Sequence, residues 1–237
     1  MFNQIKHTLQ YYYRYSIKPL MTFWSLFFMF LLLGLLLSNF RDVTFQLTGI
    51  TSLFSLIFMI LFPVFTFKNV FPFVIKLGIS RKAFVISTYI YSFTLSLIMT
   101  GLNYLYLYGF NLIADGFSIE GFNYIGLNME GFVELMHGNV YLFDLLLHLT
   151  LFLFFTFLGS FFYRFGFVYG LILTFIFPLS MLIRSVGIKI VEALEYFFIF
   201  QETYTPLSFI ITILISSALL WLVVNRASVI DQITKQN

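Results

Sequence analysis

Apolar runs too long for any water-soluble core dominate this sequence, at residues 20–38, 47–67, 83–113, 141–162, 167–183 and 206–224. A helix needs about 20 mainly apolar residues to cross roughly 30 Å of hydrocarbon, and in lipid every backbone polar group must be satisfied within a helix or a closed barrel. A barrel would alternate apolar and polar residues with period two, and these runs do not. With 60% of its residues hydrophobic and only 10% charged, the chain must use lipid as the solvent for much of its surface. The expected fold class is an all-α membrane protein, one transmembrane domain over residues 1–237 with six transmembrane helices.

The positive-inside rule sets the direction, because Lys and Arg near span ends collect in the cytoplasm. In a six-span topology Lys6, Arg14, Lys18, Lys68, Lys76, Arg81, Lys82, Arg164, Arg226 and Lys235 share one side, leaving Arg41, Arg184 and Lys189 on the other. The acids sort oppositely, with Asp231 alone on the basic side. A wrong span count would scramble this separation. The expectation is a multi-pass protein of the cell membrane with both termini cytoplasmic. The net charge of +3 is thus topological rather than a nucleic-acid footprint, and no nucleic-acid partner is expected.

Three segments outside the spans carry further expectations. Residues 1–18 place Lys6, His7, Arg14 and Lys18 among Ile5, Leu9, Tyr12, Tyr13 and Ile17, the pattern of an amphipathic helix lying along the interface. The stretch is too long and too aromatic for the start of a signal peptide, so the first span is expected to be retained. Residues 114–140 read as a glycine-rich, acidic outer loop. Residues 184–205 mix charges with many apolar side chains, which suits short helices dipping back into the outer leaflet.

Chemistry is sparse. Without cysteine there are no disulfides, thiolate metal sites or cysteine nucleophiles. No G-x-x-x-x-G-K-[ST] loop is present to cradle phosphates, and no H-E-x-x-H motif to hold zinc, so neither ATP hydrolysis nor metalloprotease activity is expected of this chain. Catalytic residues and metal ligands are therefore not assigned. Asp144 and His148, four apart near the outer end of the fourth span, form the one titratable pair within a span, and Asn103 lies with Thr100 and Ser96 on a polar strip of the third. Asn103, Asp144 and His148 are the candidate intramembrane polar site, either a proton site or a structural one at the interface. Pro63 and Pro178 are candidate kinks in the second and fifth spans.

The link between the second and third spans, residues 68–84, is apolar enough to dock on a partner. It contains a helix-stopping Gly78 and restarts at Ser80, a suitable N-cap. Read without a partner it is an amphipathic loop resting on lipid, anchored by Arg81 and Lys82.

Leu77-Gly78-Ile79-Ser80-Arg81-Lys82-Ala83-Phe84, together with the order of elements along the chain, resembles the membrane subunits of ABC-2 type exporters from Gram-positive bacteria. The resemblance implies an amphipathic helix at residues 1–18, a cytoplasmic coupling helix at residues 70–82 and re-entrant outer helices at residues 184–205. It further implies a permease that pairs with a second copy or a homologous permease and binds two copies of a separate ATPase carrying ATP and magnesium. Phe71, Phe73, Leu77, Gly78, Arg81 and Lys82 would then form the ATPase-coupling surface. A Phe- and Leu-lined path suits amphipathic peptides or lipid-like substrates, and the aromatic-rich, cysteine-free character is similar to exporters of phenol-soluble modulins. A proton-coupled carrier and a non-transporting immunity protein stand as alternatives.

Overall fold

The computed structural model describes residues 1–39, 44–48, 50–119, 121–125, 140–195 and 205–228. In chain order its elements are α1 (Phe2–Ser38), β1 (Phe45–Thr48), α2 (Ile50–Lys76), α3 (Arg81–Gly116), β2 (Phe122–Ile125), α4 (Val140–Phe165), α5 (Phe167–Ser180), α6 (Arg184–Glu195) and α7 (Pro206–Asn225). Five of them, α1, α2, α3, α4 and α7, are long and apolar enough to cross a membrane, and α5 with α6, bent by 96°, makes a sixth if the pair is one broken span. The chain is a multi-pass helical membrane protein.

Side-chain contacts give α1, α2, α3, α4 and α7 their directions. α1 and α3 run parallel, with Tyr12 on Tyr91, Trp24 on Tyr106 and Phe28 on Phe110. α2 runs antiparallel to α1, because Tyr15 meets Phe62 while Phe27 meets Phe54. α4 follows α2, pairing Ser55 with His148 and Phe71 with Tyr163. α7 follows α4 through Phe143 on Phe209 and Arg164 on Val223, and opposes α3 through Tyr89 on Ser217. Gln4, Gly78, Arg164 and Ala227 therefore lie at one end of the bundle, the basic end, and the two strands at the other. Between Phe165 and Phe209 the chain must travel back from the basic end to the ribbon end.

α1 differs from the sequence expectation. Residues 1–18 are the first half of one 37-residue helix that continues through Pro19, rather than a separate interfacial helix. At about 1.5 Å per residue it is roughly 55 Å long, against about 30 Å of hydrocarbon. The overhang is held by α3 rather than by lipid. Tyr12 stacks on Tyr91 at 4.6 Å and shares a 2.8 Å hydrogen bond with Thr88; the Tyr13 hydroxyl lies 2.8 Å from that of Thr94, and Ser87 donates to the Ile5 carbonyl at 3.4 Å.

Residues 70–82 likewise form no helix of their own. Residues 70–76 are the last two turns of α2, which continues through Pro63 and Pro72, and Arg81 opens α3. The turn between them sits where Gly78 and Ser80 predict. Gly78 adopts φ +81°, open to glycine at no steric cost, and the Ser80 hydroxyl accepts from the Ala83 amide at 3.3 Å. α5 ends two residues after Pro178, and α6 covers the first half of the segment expected to be re-entrant; residues 196–204 lie outside the described set, as do 126–139 of the expected outer loop.

Lipid supplies no hydrophobic force between helices, so packing and hydrogen bonds hold them together. At the basic end Phe67, Phe71, Phe84 and Tyr163 form an aromatic knot, with ring centroids 5.1 to 5.8 Å apart. Deeper in the bundle α2 and α4 touch backbone to backbone: a Cβ on Gly159 would lie 2.9 Å from the Cα of Val64. At the far end β1 and β2 pair in parallel, Phe45 opposite Phe122 with their rings stacked at 5.9 Å. Hydropathy did not anticipate this ribbon. It forms because α1 and α3 are parallel and release their chains at the same end.

Candidate functional site: a buried polar cluster between three helices

Asp144 and His148 share one face of α4, as a spacing of four requires, but their side chains turn to different partners. The imidazole Nδ1 lies 2.7 Å from the backbone carbonyl of Asp144 and 3.3 Å from the Thr100 hydroxyl, while Nε2 lies 2.8 Å from the Ser55 hydroxyl. The Asn103 amide nitrogen donates to Ser55 Oγ at 3.0 Å and to Asp144 Oδ2 at 3.4 Å. A carbonyl oxygen only accepts, so Nδ1 carries a hydrogen and Nε2 of the neutral ring is free to accept from Ser55.

The three residues expected to form a polar site, Asn103, Asp144 and His148, are thus brought together, with Ser55 and Thr100 added. Thr100 was legible as part of the α3 strip. Ser55 was not, since one serine in an apolar run carries no signal. Ser96, on the same strip, is buried with its hydroxyl unpartnered.

The depth of the site corrects the sequence reading, which placed Asp144 and His148 near the outer edge. Ser55 follows Phe54, whose ring packs on Phe27 at 5.0 Å, and Asn103 precedes Tyr106, which packs on the same Phe27 at 5.8 Å. The cluster is therefore level with the turn of α1 from Trp24 to Phe27, inside the apolar run 20–38. α2 and α4 begin well short of the end of α1, so a position early in α4 is deep in the bundle. Exposure falls to 0% for Ser55 and His148, 3% for Asp144 and 4% for Asn103.

Electrostatically the site is one-sided. The surrounding runs, residues 20–38, 50–67, 83–113 and 206–224, contain no Lys, Arg, Asp or Glu. Among the described residues the Asp144 carboxylate has one hydrogen-bond donor and no counter-charge, and holding a bare charge there costs several kcal/mol. Asn103 Oδ1 is buried with no partner at all. Among the described residues no group of three His, Asp or Glu could hold a metal ion.

The second set of expected site residues lies at the basic end and does not form a single surface. Phe71 is fully buried in the aromatic knot, so it is a core residue and not a docking anchor. Phe73 is 43% exposed and stacks on Tyr11 at 4.4 Å, and Leu77 is 64% exposed. Gly78 and Lys82 are exposed. Arg81 turns inward to donate to the carbonyls of Asn225 and Ala227 at 2.6 and 2.7 Å. Gln4 closes the same turn from α1, donating to the Gly78 carbonyl at 3.5 Å and accepting from Ser80 at 3.0 Å.

Fold and site together define a polytopic helical membrane protein with a titratable cluster inside its bundle. No family model matches the chain, and neither the curated proteins nor the solved structures contain a match to it.

Proposed function

We propose that this chain is the permease subunit of an ATP-driven exporter of the ABC-2 type, with six spans and both termini in the cytoplasm. The observation that carries the reading is the turn at residues 77–80. It projects from the basic end with Phe73, Leu77 and Lys82 exposed, while Gln4 and Arg81 tie it to α1 and to the end of α7. A partner that moves this turn moves four helices at once, α2 and α3 which it joins and α1 and α7 to which it is tied, and such a linkage suits coupling of an ATPase to a membrane domain.

In this reading the coupling surface is the exposed turn and the last residues of α2, without Phe71. Two copies of a separate ATPase supply ATP and magnesium, and a second permease completes the pathway. The bent α5–α6 pair serves as the re-entrant outer element. An apolar groove of about 500 Å³ at its elbow, lined by residues such as Phe175, Ile176 and Leu179, suits an amphipathic peptide such as a phenol-soluble modulin, or a lipid-like cargo.

The test is affinity purification from native membranes, comparing the parent chain with Leu77→Asp/Lys82→Glu. Recovery of an ATPase with the parent and its loss from the variant, with helix content unchanged, is the expected result. If the parent brings down no ATPase, the exporter reading fails and a proton-coupled carrier, motivated by the buried cluster, takes its place.

A further inference from the structure

Among the grooves, charged faces and buried groups of this molecule, the cluster at Asp144 is the most completely built, with five polar side chains from three helices in an otherwise uncharged interior. Its hydrogen bonds run one way only. Asn103 donates to both Asp144 and Ser55, Ser55 faces the accepting Nε2 of His148, and His148 donates to the Asp144 carbonyl. In this direction Asp144 Oδ2 accepts and presents no hydrogen to Asn103. This direction leaves the one strong acceptor of the Asn103 amide, Oδ1, buried without a donor.

We infer that the cluster is a proton-binding site, in which a proton on Asp144 turns the Asn103 amide over and reverses the hydrogen bonds that join α2, α3 and α4. The step balances simply. A proton from water adds to Asp144 Oδ2, and the carboxyl O–H donates to Asn103 Oδ1, which has rotated into the place of the amide nitrogen. The Ser55 hydroxyl turns away from His148 Nε2 to donate to the same Oδ1, which leaves Nε2 an acceptor without a donor. His148 keeps its Nδ1 hydrogen on the Asp144 carbonyl throughout, and its freed Nε2 becomes the second position open to a proton. One atom of the amide lacks a partner in either orientation, so the proton decides which one is adopted.

A proton fits better than a metal cation. Asn103 Oδ1 is closed to a water-sized sphere, and the nitrogen donors of Asn103 and His148 already face the oxygens a cation would need. Among the described residues the groups facing the cluster are Ser55 from α2, Thr100 and Asn103 from α3, and Asp144 and His148 from α4; the packed runs of α1 and α7 add no charged residue. The site does not depend on whether ATP drives transport, so loss of the exporter reading leaves it standing.

The experiment uses the full chain in lipid nanodiscs. Infrared difference spectra between alkaline and acidic pH read the carboxyl, and nitrogen-15 spectra of labelled histidine, assigned with His148→Gln, read Nε2. A protonated-carboxyl band that grows with acid and is lost in Asp144→Asn, with the His148 Nε2 signal shifting at the same midpoint, is expected. Asp144→Asn should hold that signal at its acid position at every pH, and Asn103→Leu should leave the carboxyl band while uncoupling the histidine from it. A carboxyl band that ignores pH, one that survives in Asp144→Asn, or a His148 signal indifferent to both variants overturns the proposal. Replacing sodium by choline at fixed pH should change nothing. A sodium-dependent shift would assign the site to a metal cation and overturn it as well.

Discussion

The guanidinium of Arg81, the first residue of α3, donates to the carbonyl oxygens of Asn225 and Ala227 at 2.6 and 2.7 Å. The last carbonyls of a helix have no partner within it, and a cation is favoured at that end. Arg164 of α4 adds a contact to the Val223 carbonyl at 3.4 Å. Two arginines that the charge count treats as topological markers are thus the C-terminal cap of α7. Replacing Arg81 with Met should destabilise the chain by about 2 kcal/mol, in the range of hydrogen bonds to a charged group. Hydrogen exchange should accelerate at residues 223–228; unchanged exchange there would show that the cap does not hold α7.

Gly159 sets the distance between α2 and α4. With a Cβ only 2.9 Å from the Val64 Cα, Gly159→Val should part the helices at a cost of about 1 to 3 kcal/mol. Because Ser55 and His148 hydrogen bond across the same pair of helices, the variant should also alter the nitrogen-15 signal of His148. A variant as stable as the parent, with that signal unmoved, would show that the backbones are not in contact.

Among the described residues Asn103 is the one donor to the Asp144 carboxylate, so Asn103→Leu should leave a buried acceptor facing apolar surroundings, at a cost of about 3 kcal/mol or more. Asn103→Leu/Asp144→Leu removes both partners and should recover much of that loss, as neighbours sharing one bond are not additive. Thermal unfolding in nanodiscs measures the cycle. Strict additivity of the two single changes would rule out the bond as drawn.

Residues 5–16 of α1 should be protected from hydrogen exchange about as well as the α3 residues they pack on, and Tyr12→Phe should cost about 1 kcal/mol by removing the buried hydroxyl bond to Thr88. Rapid exchange of residues 2–18 beside a protected stretch at 20–38 would return this segment to the membrane interface as a separate helix.

Much of the architecture is legible in the sequence. The limits expected from hydropathy, 83–113, 141–162 and 206–224, lie within three residues of the observed ends of α3, α4 and α7, and Gly78 and Ser80 mark the turn between α2 and α3. The segment at 1–18 was misread because amphipathicity reports that a face is polar without reporting what covers the other face. Here Tyr12 and Thr8 are covered by protein. Phe71 and Phe73 look alike in sequence, yet one is sealed in the aromatic knot and the other half open, because they point about 200° apart around α2.

The sequence by itself determined that the chain belongs in a membrane and how many apolar runs it carries. Those properties add up residue by residue, and transfer from water to lipid depends on the content of each segment alone. Only the tertiary structure decided that Ser55 joins Asn103, Asp144 and His148, that the cluster lies level with the turn of α1 from Trp24 to Phe27, and that the arginines cap α7. Such relations depend on how far one helix is shifted along its neighbour. That shift is set by the fit of side chains such as Gly159 against Val64, which no single segment contains.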